Sequence, residues 1–488
     1  MRQSIVSRSV QSVKWNVASN IVTVIVGFIK TIWLARLLPV EVFGIYALSH
    51  SIMSLTKVVS AMGFDEAFLN RSEETQDEAQ AAGVFLNLRL ILTSIWAILL
   101  LSGAWIIPIN PQLRLALVVV TLANAVVQLT QPISMILVRR VKHRRLAIIQ
   151  ILNSTLASVL AISFALMGWG IWALLISPIV NAVVDVVLLY IWQPIWKPRL
   201  IWNAKVHRYY FGYGLTVMYG RLLLLALDHI DDIWTGVFLG NTALGFYTQA
   251  YTLATYPRLI IARPIIQVVA GTYAELRNQP KRLSQAFLES NRLMIRMSFL
   301  FAGGLALVAP EFIRLLLGEK WLPMTDAVRF MLLFTMLHPI RETTASLFTG
   351  IGKPGIVVTT RLIQLVALVL GLFVLGTFGE IVGVALAVDI MMIFGIGHML
   401  WHARKFVTFS VTGLFLVPFI ALLGGIAAGH GIQQVEFIEQ TAWLLLVFKT
   451  IAFTAIYLVI WFGFERETLL KLIRIGARTQ QMGGPERE

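Results

Sequence analysis

Apolar residues run along this chain in blocks of about twenty, each closed by a short break of polar, charged or glycine positions. A helix crossing a hydrocarbon layer ~30 Å thick needs ~20 apolar residues. Fourteen stretches reach that length. The first six lie at about 15–38, 43–63, 80–107, 113–138, 146–167 and 169–192. Six more lie at about 209–234, 244–272, 289–317, 326–350, 355–377 and 380–402, and a last pair at about 410–430 and 441–463. The pattern predicts an all-α integral membrane protein of about fourteen spanning helices.

The breaks alternate in charge. One set holds Arg139, Arg140, Lys142, Arg144 and Arg145, then Lys197, Arg199, Lys205 and Arg208, then Arg277, Lys281 and Arg282, then Lys353, then Arg404 and Lys405. The intervening breaks at 39–42, 168–170, 376–379 and 429–440 are nearly free of Lys and Arg. Basic loops stay cytoplasmic, so both termini are expected there. The basic start reads as a cytoplasmic lead into the first span and not as a removable signal peptide, having no small-residue cleavage site. The tail after Phe464, with Arg466, Lys471, Arg474 and Arg478, reads as a cytoplasmic interfacial helix.

Composition sharpens the class. Hydrophobic residues make up 58% and charged residues 13%, against about 25% charged in soluble domains. The mean hydropathy is +0.78. This excludes a soluble enzyme, a disordered chain and a secreted disulfide scaffold. Forty Lys and Arg against 25 Asp and Glu leave a formal charge of +15. In a membrane protein that excess belongs to cytoplasmic loops, so nucleic acid is not an expected partner. With no cysteine, disulfides and thiolate metal sites are excluded. Loops are short, about fifteen residues at most outside the cytoplasm, so function must reside within the helix bundle.

An internal repeat organises the bundle. Leu38-Pro39-Val40-Glu41-Val42-Phe43-Gly44-Ile45-Tyr46 recurs 201 residues on as Leu239-Gly240-Asn241-Thr242-Ala243-Leu244-Gly245-Phe246-Tyr247, and the same offset carries Lys57 onto Arg258. Six spans separate the copies, so both point the same way across the membrane. Two six-helix lobes are expected, residues 1–200 and 201–405, followed by two further helices in 406–465 and a tail at 466–488, with a central cationic cavity between lobes that rock.

Ionisable side chains inside the spans are costly, at least ~2.5 kcal/mol each near the bilayer centre, and therefore informative. Lys30, Lys57, Arg89, Arg221, Arg258, Arg263 and Arg341 are the candidates for contact with cargo. Arg292, Arg296 and Arg361 lie near the cytoplasmic face and read as snorkelling residues. Arg89 is also positioned to pair with Asp185 across the first lobe. Arg341 and Glu342 are helix neighbours that point in different directions, so one faces the cavity while the other pairs elsewhere. Asp185, Asp228 and Asp389 are the candidates for coupling to a proton or sodium ion, whereas Asp231 and Asp232 read as interfacial. His338 and His398 read as packed or lumen-facing polar residues; no clustered ligand set supports a metal, and no cofactor is expected. Pro257 and Pro264 predict a bend that frees backbone carbonyls beside Arg258 and Arg263. A cationic interior suits an anionic cargo such as a phosphate, which Arg grips with paired hydrogen bonds.

The residues also carry a resemblance. Arg36 with Leu37-Leu38-Pro39-Val40-Glu41-Val42-Phe43-Gly44-Ile45-Tyr46-Ala47 resembles the R-x-L-x-P-x-x-F-G-x-Y-A signature of polysaccharide-export membrane proteins. Residues 63–87, with a short acidic loop, resemble them too, as does Gln131-Pro132-Ile133-Ser134-Met135-Ile136-Leu137-Val138-Arg139-Arg140 running on to Ile148. In the second lobe, Leu244-Gly245-Phe246-Tyr247-Thr248-Gln249-Ala250-Tyr251 is similar to an L-G-x-Y-x-x-A-Y stretch. The family is the polysaccharide transport and lipid-linked oligosaccharide (O-antigen, capsule, exopolysaccharide) flippase group of the multidrug/oligosaccharidyl-lipid/polysaccharide exporter superfamily. One departure is Gly240, standing where the first copy has Pro39.

The resemblance implies a bacterial inner-membrane flippase. It turns an undecaprenyl-pyrophosphate-linked sugar unit from the cytoplasmic to the periplasmic leaflet by alternating access. The two C-terminal helices would shape a groove for the lipid tail. Lys57, Arg221 and Arg258, with Lys30, would hold the phosphates; the fourteen Trp are mostly interface anchors, with some beside the cavity available to stack on sugars. Expected partners are the lipid-linked oligosaccharide, membrane lipids, a coupling proton or sodium ion and the polysaccharide polymerase or export machinery. The membrane potential, worth ~2.3 kcal/mol per charge per 100 mV, is the alternative energy source. A drug exporter of the same superfamily would favour a carboxylate-lined cavity. A membrane enzyme of polysaccharide assembly would need a large extracytoplasmic loop, so an enzyme is not expected.

Overall fold

The computed structural model describes the backbone of residues 5–71, 77–192, 194–434 and 441–482, and their side chains except at 5–14, 259–265, 267–268 and 467–482. Every regular element among these residues is helical. In chain order the helices are α1 (Ile5–Leu37), α2 (Val40–Ala61), α3 (Phe64–Asn70), α4 (Glu78–Ile106), α5 (Pro111–Arg139), α6 (His143–Leu166) and α7 (Trp172–Val186). Then come α8 (Ala204–Phe238), α9 (Asn241–Glu275), α10 (Pro280–Leu307), α11 (Ala309–Leu316) and α12 (Thr325–Gly350). The last four are α13 (Pro354–Gly371), α14 (Thr377–Ala403), α15 (Val411–Gln433) and α16 (Ala442–Met482).

Several begin where the sequence supplies a cap. Asp77 accepts from the Gln80 amide before α4, and Asn110 accepts from Gln112, with Pro111 opening α5. Asn203 and Ser410 do the same for α8 and α15. Each satisfies an amide that the first helical turn leaves without a carbonyl.

All fourteen predicted stretches fall on helices. Ten helical runs are long and apolar enough to cross a membrane, and eleven if α10 and α11, bent by 68° at Val308, count together. One of the ten, Pro354–Ala403, is a hairpin. Its backbone leaves helical geometry at Glu380 (φ 49°, ψ −137°). A Cβ added to Gly371 would stand 2.8 Å from the Ala387 Cβ, and the Thr360 hydroxyl meets the His398 ring at 2.8 Å. So α13 and α14 run antiparallel. The two remaining stretches lie on α9 and α12, 35 and 26 residues long. The chain is a multi-pass integral membrane protein. Its outward side chains agree: Ile95, Ile98 and Leu99 on α4 and Val366 and Leu370 on α13 are exposed, as a lipid surround allows.

The chain divides into two compact units, Met1–Gln249 with Arg361–Ala387, and Ala250–Thr360 with Val388–Glu488. α8 packs on α2 and α3 within the first unit. There α1 packs on α6, α6 on α7, and α5 on α4 and α7. Phe64, Phe68, Phe85 and Tyr210 form its aromatic core. In the second unit α10 packs on α12 and α15, and α15 on α16.

The repeat has a packing explanation. A Cβ on Gly44 would lie 1.7 Å from the Asn241 carbonyl oxygen, and one on Gly245 would lie 2.3 Å from the Val40 carbonyl oxygen. The two copies therefore cross each other reciprocally, each glycine receiving the first turn of the other helix. The turns before them differ as their residues demand: Pro39 is extended (φ −61°), whereas Gly240 is left-handed (φ +91°).

α9 continues as helix through Pro257 and Pro264. The interruptions fall at Val308, at Glu380 and at Glu465 (φ −134°, ψ 32°), where the basic tail begins.

Candidate functional site

Two polar assemblies sit inside the first unit. One is a cavity of about 410 Å³ among α1, α5, α6 and α7. Lys30 lines it from α1 and Asp185 from α7, and hydroxyl and amide side chains fill in between, among them Thr23, Asn153, Ser177 and Asn181. Asn153 donates its amide to Asp185 at 2.8 Å. Its own oxygen, like the Thr23 hydroxyl, is buried without a hydrogen-bond partner in the protein. None of the described lining residues is aromatic, so Trp and Tyr do not supply its chemistry.

The spacing explains the cavity. Gln150, Asn153, Ser154 and Ala157 fall on one face of α6, and Ser177, Asn181 and Asp185 follow four apart on α7. Thr23 and Lys30 are two turns apart on α1. Three otherwise apolar helices each turn a polar stripe to the same point.

The second assembly is ionic. Arg89, fully buried, pairs with Asp65 at 2.7 Å and donates to the Gln128 side-chain oxygen at 3.0 Å. Asp185 is therefore not its partner. Asp65 reaches Arg89 from α3 at the end of α2, whereas Asp185 faces the cavity. Arg221, with 39% of its side chain exposed, pairs with Glu66 and lies 4.0 Å from Asp65. Lys57 lies in the field of Arg89, Arg221 and Asp65. Asp65 and Glu66 thus answer Arg89 and Arg221, while Lys57 forms no ion pair among the described residues.

Beside it runs a polar seam on α2 and α8. Ser51 donates to Asp232 at 2.7 Å, with His229 at 3.8 Å, and the Tyr247 hydroxyl donates to the buried Asp231. Asp231 and Asp232 are thus held by hydrogen bonds from Tyr247 and Ser51, as α8 turns them toward α2 and the start of α9. Asp228 lies exposed on the same helix.

In the second unit Arg341 pairs with Glu342 at 2.7 Å and meets His338 Nε2 at 3.1 Å, with Arg258 in the field of the same histidine. The two neighbours on α12 pair with each other instead of facing apart, since Arg341 is long enough to fold back. Asp389 is buried in α14 beside the Phe334 backbone. The side chain of Arg263 lies outside the described residues. Arg296 does not snorkel. It is buried and ion-paired with Glu465, while Lys449 pairs with Glu311 at 2.7 Å, both nearly sealed from solvent.

Reading charges one helix at a time missed Asp65, Glu66, Gln128 and the cavity's amides. The signal for the amides was present as polar residues three and four apart within apolar blocks.

The family described as polysaccharide biosynthesis protein matches residues 33–326, more than half of the chain. The chain belongs to the polysaccharide biosynthesis protein family. Among its relatives is the teichuronic acid biosynthesis protein TuaB of Bacillus subtilis, 24% identical over 486 residues, spanning 97% of this chain and 99% of TuaB. In fold this member of the polysaccharide biosynthesis family is similar to the lipid II flippase MurJ in an inward closed conformation. The TM-score is 0.75 at 15% identity, over 94% of this chain and 100% of MurJ. It is also similar to an inward-facing multidrug resistance MATE family transporter of the MOP superfamily. There the TM-score is 0.61 at 18% identity, over 79% of this chain and 94% of that one.

Proposed function

We propose that this polysaccharide biosynthesis protein is a flippase, not an enzyme, that carries an undecaprenyl-pyrophosphate-linked oligosaccharide from the cytoplasmic to the periplasmic leaflet of a bacterial inner membrane. The observation that carries the reading is one of scale. A family member in polysaccharide biosynthesis shares its fold with a lipid II flippase over 94% of its length. The interior supports it, because the cationic cluster at Lys57, Arg89 and Arg221 suits a pyrophosphate.

The chemistry is exchange. Glu66 and Asp65 occupy the two guanidinium groups as carboxylate stand-ins for phosphate oxygens. Arg221, the more exposed, is the one an arriving pyrophosphate recruits, with Lys57 adding a point charge. Arg89 is a positioning residue that holds Asp65. Arg258, Arg263 and Arg341 are the further cationic candidates, carried by the second unit. The reading keeps two six-helix lobes, 1–200 and 201–405, with α15 and α16 beside them, fourteen crossings and both termini in the cytoplasm. A proton or sodium ion taken up at Asp185, Asp228 or Asp389, or the membrane potential alone, resets the carrier. A polymerase or export complex receives the product.

Complementation tests the assignment. In a bacterium lacking its oligosaccharide flippase, the wild-type chain is expected to restore surface polysaccharide. Arg221→Ala and Lys57→Ala should each lower flipping about tenfold or more, the scale of one charge-assisted hydrogen bond at ~1.5–3 kcal/mol. Full restoration by both variants would remove these residues from the site, and failure of the wild type across several sugar types would remove the function. The orientation has its own check. Green fluorescent protein fused after the last residue is expected to fluoresce and alkaline phosphatase fused there to stay inactive; the reverse result inverts the topology.

A further inference from the structure

We infer that the cavity among α1, α5, α6 and α7 is a saccharide subsite, distinct from the cationic cluster that takes the phosphates, with Lys30 and Asp185 as its charged pair. The inference rests on the flippase reading for the kind of cargo, and on the cavity itself for the chemistry.

At about 410 Å³ the cavity falls in the ~300–1,000 Å³ range of small-molecule sites. A polyol is a dense array of hydroxyls, each both donor and acceptor. The lining answers with groups of the same dual character, Asn153, Ser177 and Asn181 among them. The charged pair adds direction. A carboxylate accepts from two neighbouring hydroxyls, and an ammonium donates to ring or hydroxyl oxygens. Among the described residues Lys30 and Asp185 line the same space without forming an ion pair; Asp185 accepts one hydrogen bond, from Asn153, which leaves its second oxygen and the ammonium for a ligand. Two further atoms point to a ligand of this kind. The Asn153 oxygen and the Thr23 hydroxyl are buried with no partner in the protein, and buried polar atoms are rarely left so. Leu146, Ile149 and Leu189 supply an apolar wall for the C–H face of a sugar ring.

A phosphate does not fit this space as well. One ammonium faces one carboxylate, so the lining carries no net charge to hold a dianion. The cationic cluster lies at Lys57, Arg89 and Arg221. Lys30 therefore belongs to sugar recognition.

The chain contains no cysteine, which makes a direct test possible. Ser154→Cys places a single thiol on the cavity wall, and Gln112→Cys places one at the exposed start of α5 as a control. Each full-length variant in nanodiscs is labelled with a small maleimide in the presence of the methyl glycosides of glucose, N-acetylglucosamine and glucuronate at millimolar concentrations. At least one glycoside is expected to slow labelling of the Ser154→Cys protein about fivefold, leaving the Gln112→Cys protein unchanged. Asp185→Asn and Asn181→Ala, each added to Ser154→Cys, are expected to weaken that protection about fivefold, the scale of one hydrogen bond. The rate without sugar should hold, showing that the fold is kept. The inference fails if the cavity thiol does not label, if none of the three glycosides protects it, if the cavity and control thiols are protected alike, or if the two added substitutions leave protection intact. Protection without complementation would leave the subsite standing and overturn the flippase reading; complementation without protection would do the opposite.

Discussion

Arg296→Ala is expected to destabilise the protein by ~3–5 kcal/mol, because it strands a buried carboxylate. The Arg296 side chain is 1% exposed and that of Glu465 is 11% exposed. The guanidinium bonds both Glu465 oxygens and reaches the backbone carbonyls of Arg292, Gly413 and Leu414 at 3.1, 3.3 and 3.3 Å. Around it, the Tyr457 hydroxyl donates to the Arg296 carbonyl at 2.8 Å and the Trp461 indole to Glu465 at 3.2 Å. These groups tie α10, α15 and α16 at the residue where α16 leaves helical geometry. Truncation leaves Glu465 with the indole alone among these donors. The double variant Arg296→Met/Glu465→Gln is expected to recover most of the loss, since no charge is then buried. Thermal unfolding in nanodiscs, followed by tryptophan fluorescence, reads both. Arg329→Ala, which removes an exposed pair with Asp326, is the control and should shift little. Equal shifts for Arg296→Ala and that control would mean that the buried pair contributes nothing.

The second large effect is expected at the repeat. Gly44→Ala and Gly245→Ala should each lower stability by about 3 kcal/mol or more, at or beyond the upper end of overpacking effects. The new methyl group meets backbone carbonyls, 1.7 Å away at Gly44 and 2.3 Å at Gly245, and a backbone cannot swing aside as a side chain can. Gly27→Ala, where a Cβ meets nothing within 4 Å, is the comparison and should be neutral or slightly stabilising. Because the crossing is reciprocal, Gly44→Ala/Gly245→Ala should lose less than the sum of the two, as one displacement relieves both clashes. Strict additivity in the same unfolding measurement would argue that the two glycines do not share a contact.

These cases show what each kind of information supplied. The fourteen stretches were legible because a bilayer imposes one demand, a run of apolar residues long enough to cross, and each residue meets it independently of its neighbours in space. The repeat was legible as a motif; only the crossing of α2 and α9 shows that its glycines each accept a backbone. Lys30, Lys57, Arg89 and Arg221 stood out as charges in apolar surroundings. Their partners did not. Asp65 and Glu66 sit on a seven-residue helix that no periodicity announces, and Arg296 finds Glu465 across 169 residues of sequence.

By itself, then, the chain determines its solvent, its helical class, the placement of its spans and the excess of cations among them, since these follow from local composition against a fixed membrane thickness. Only the tertiary structure decided which charges are spent on each other and which face a cavity. Pairing and cavity formation depend on which helix faces meet, and a polar stripe on one helix is neutral about its neighbour until packing brings three such stripes to one place.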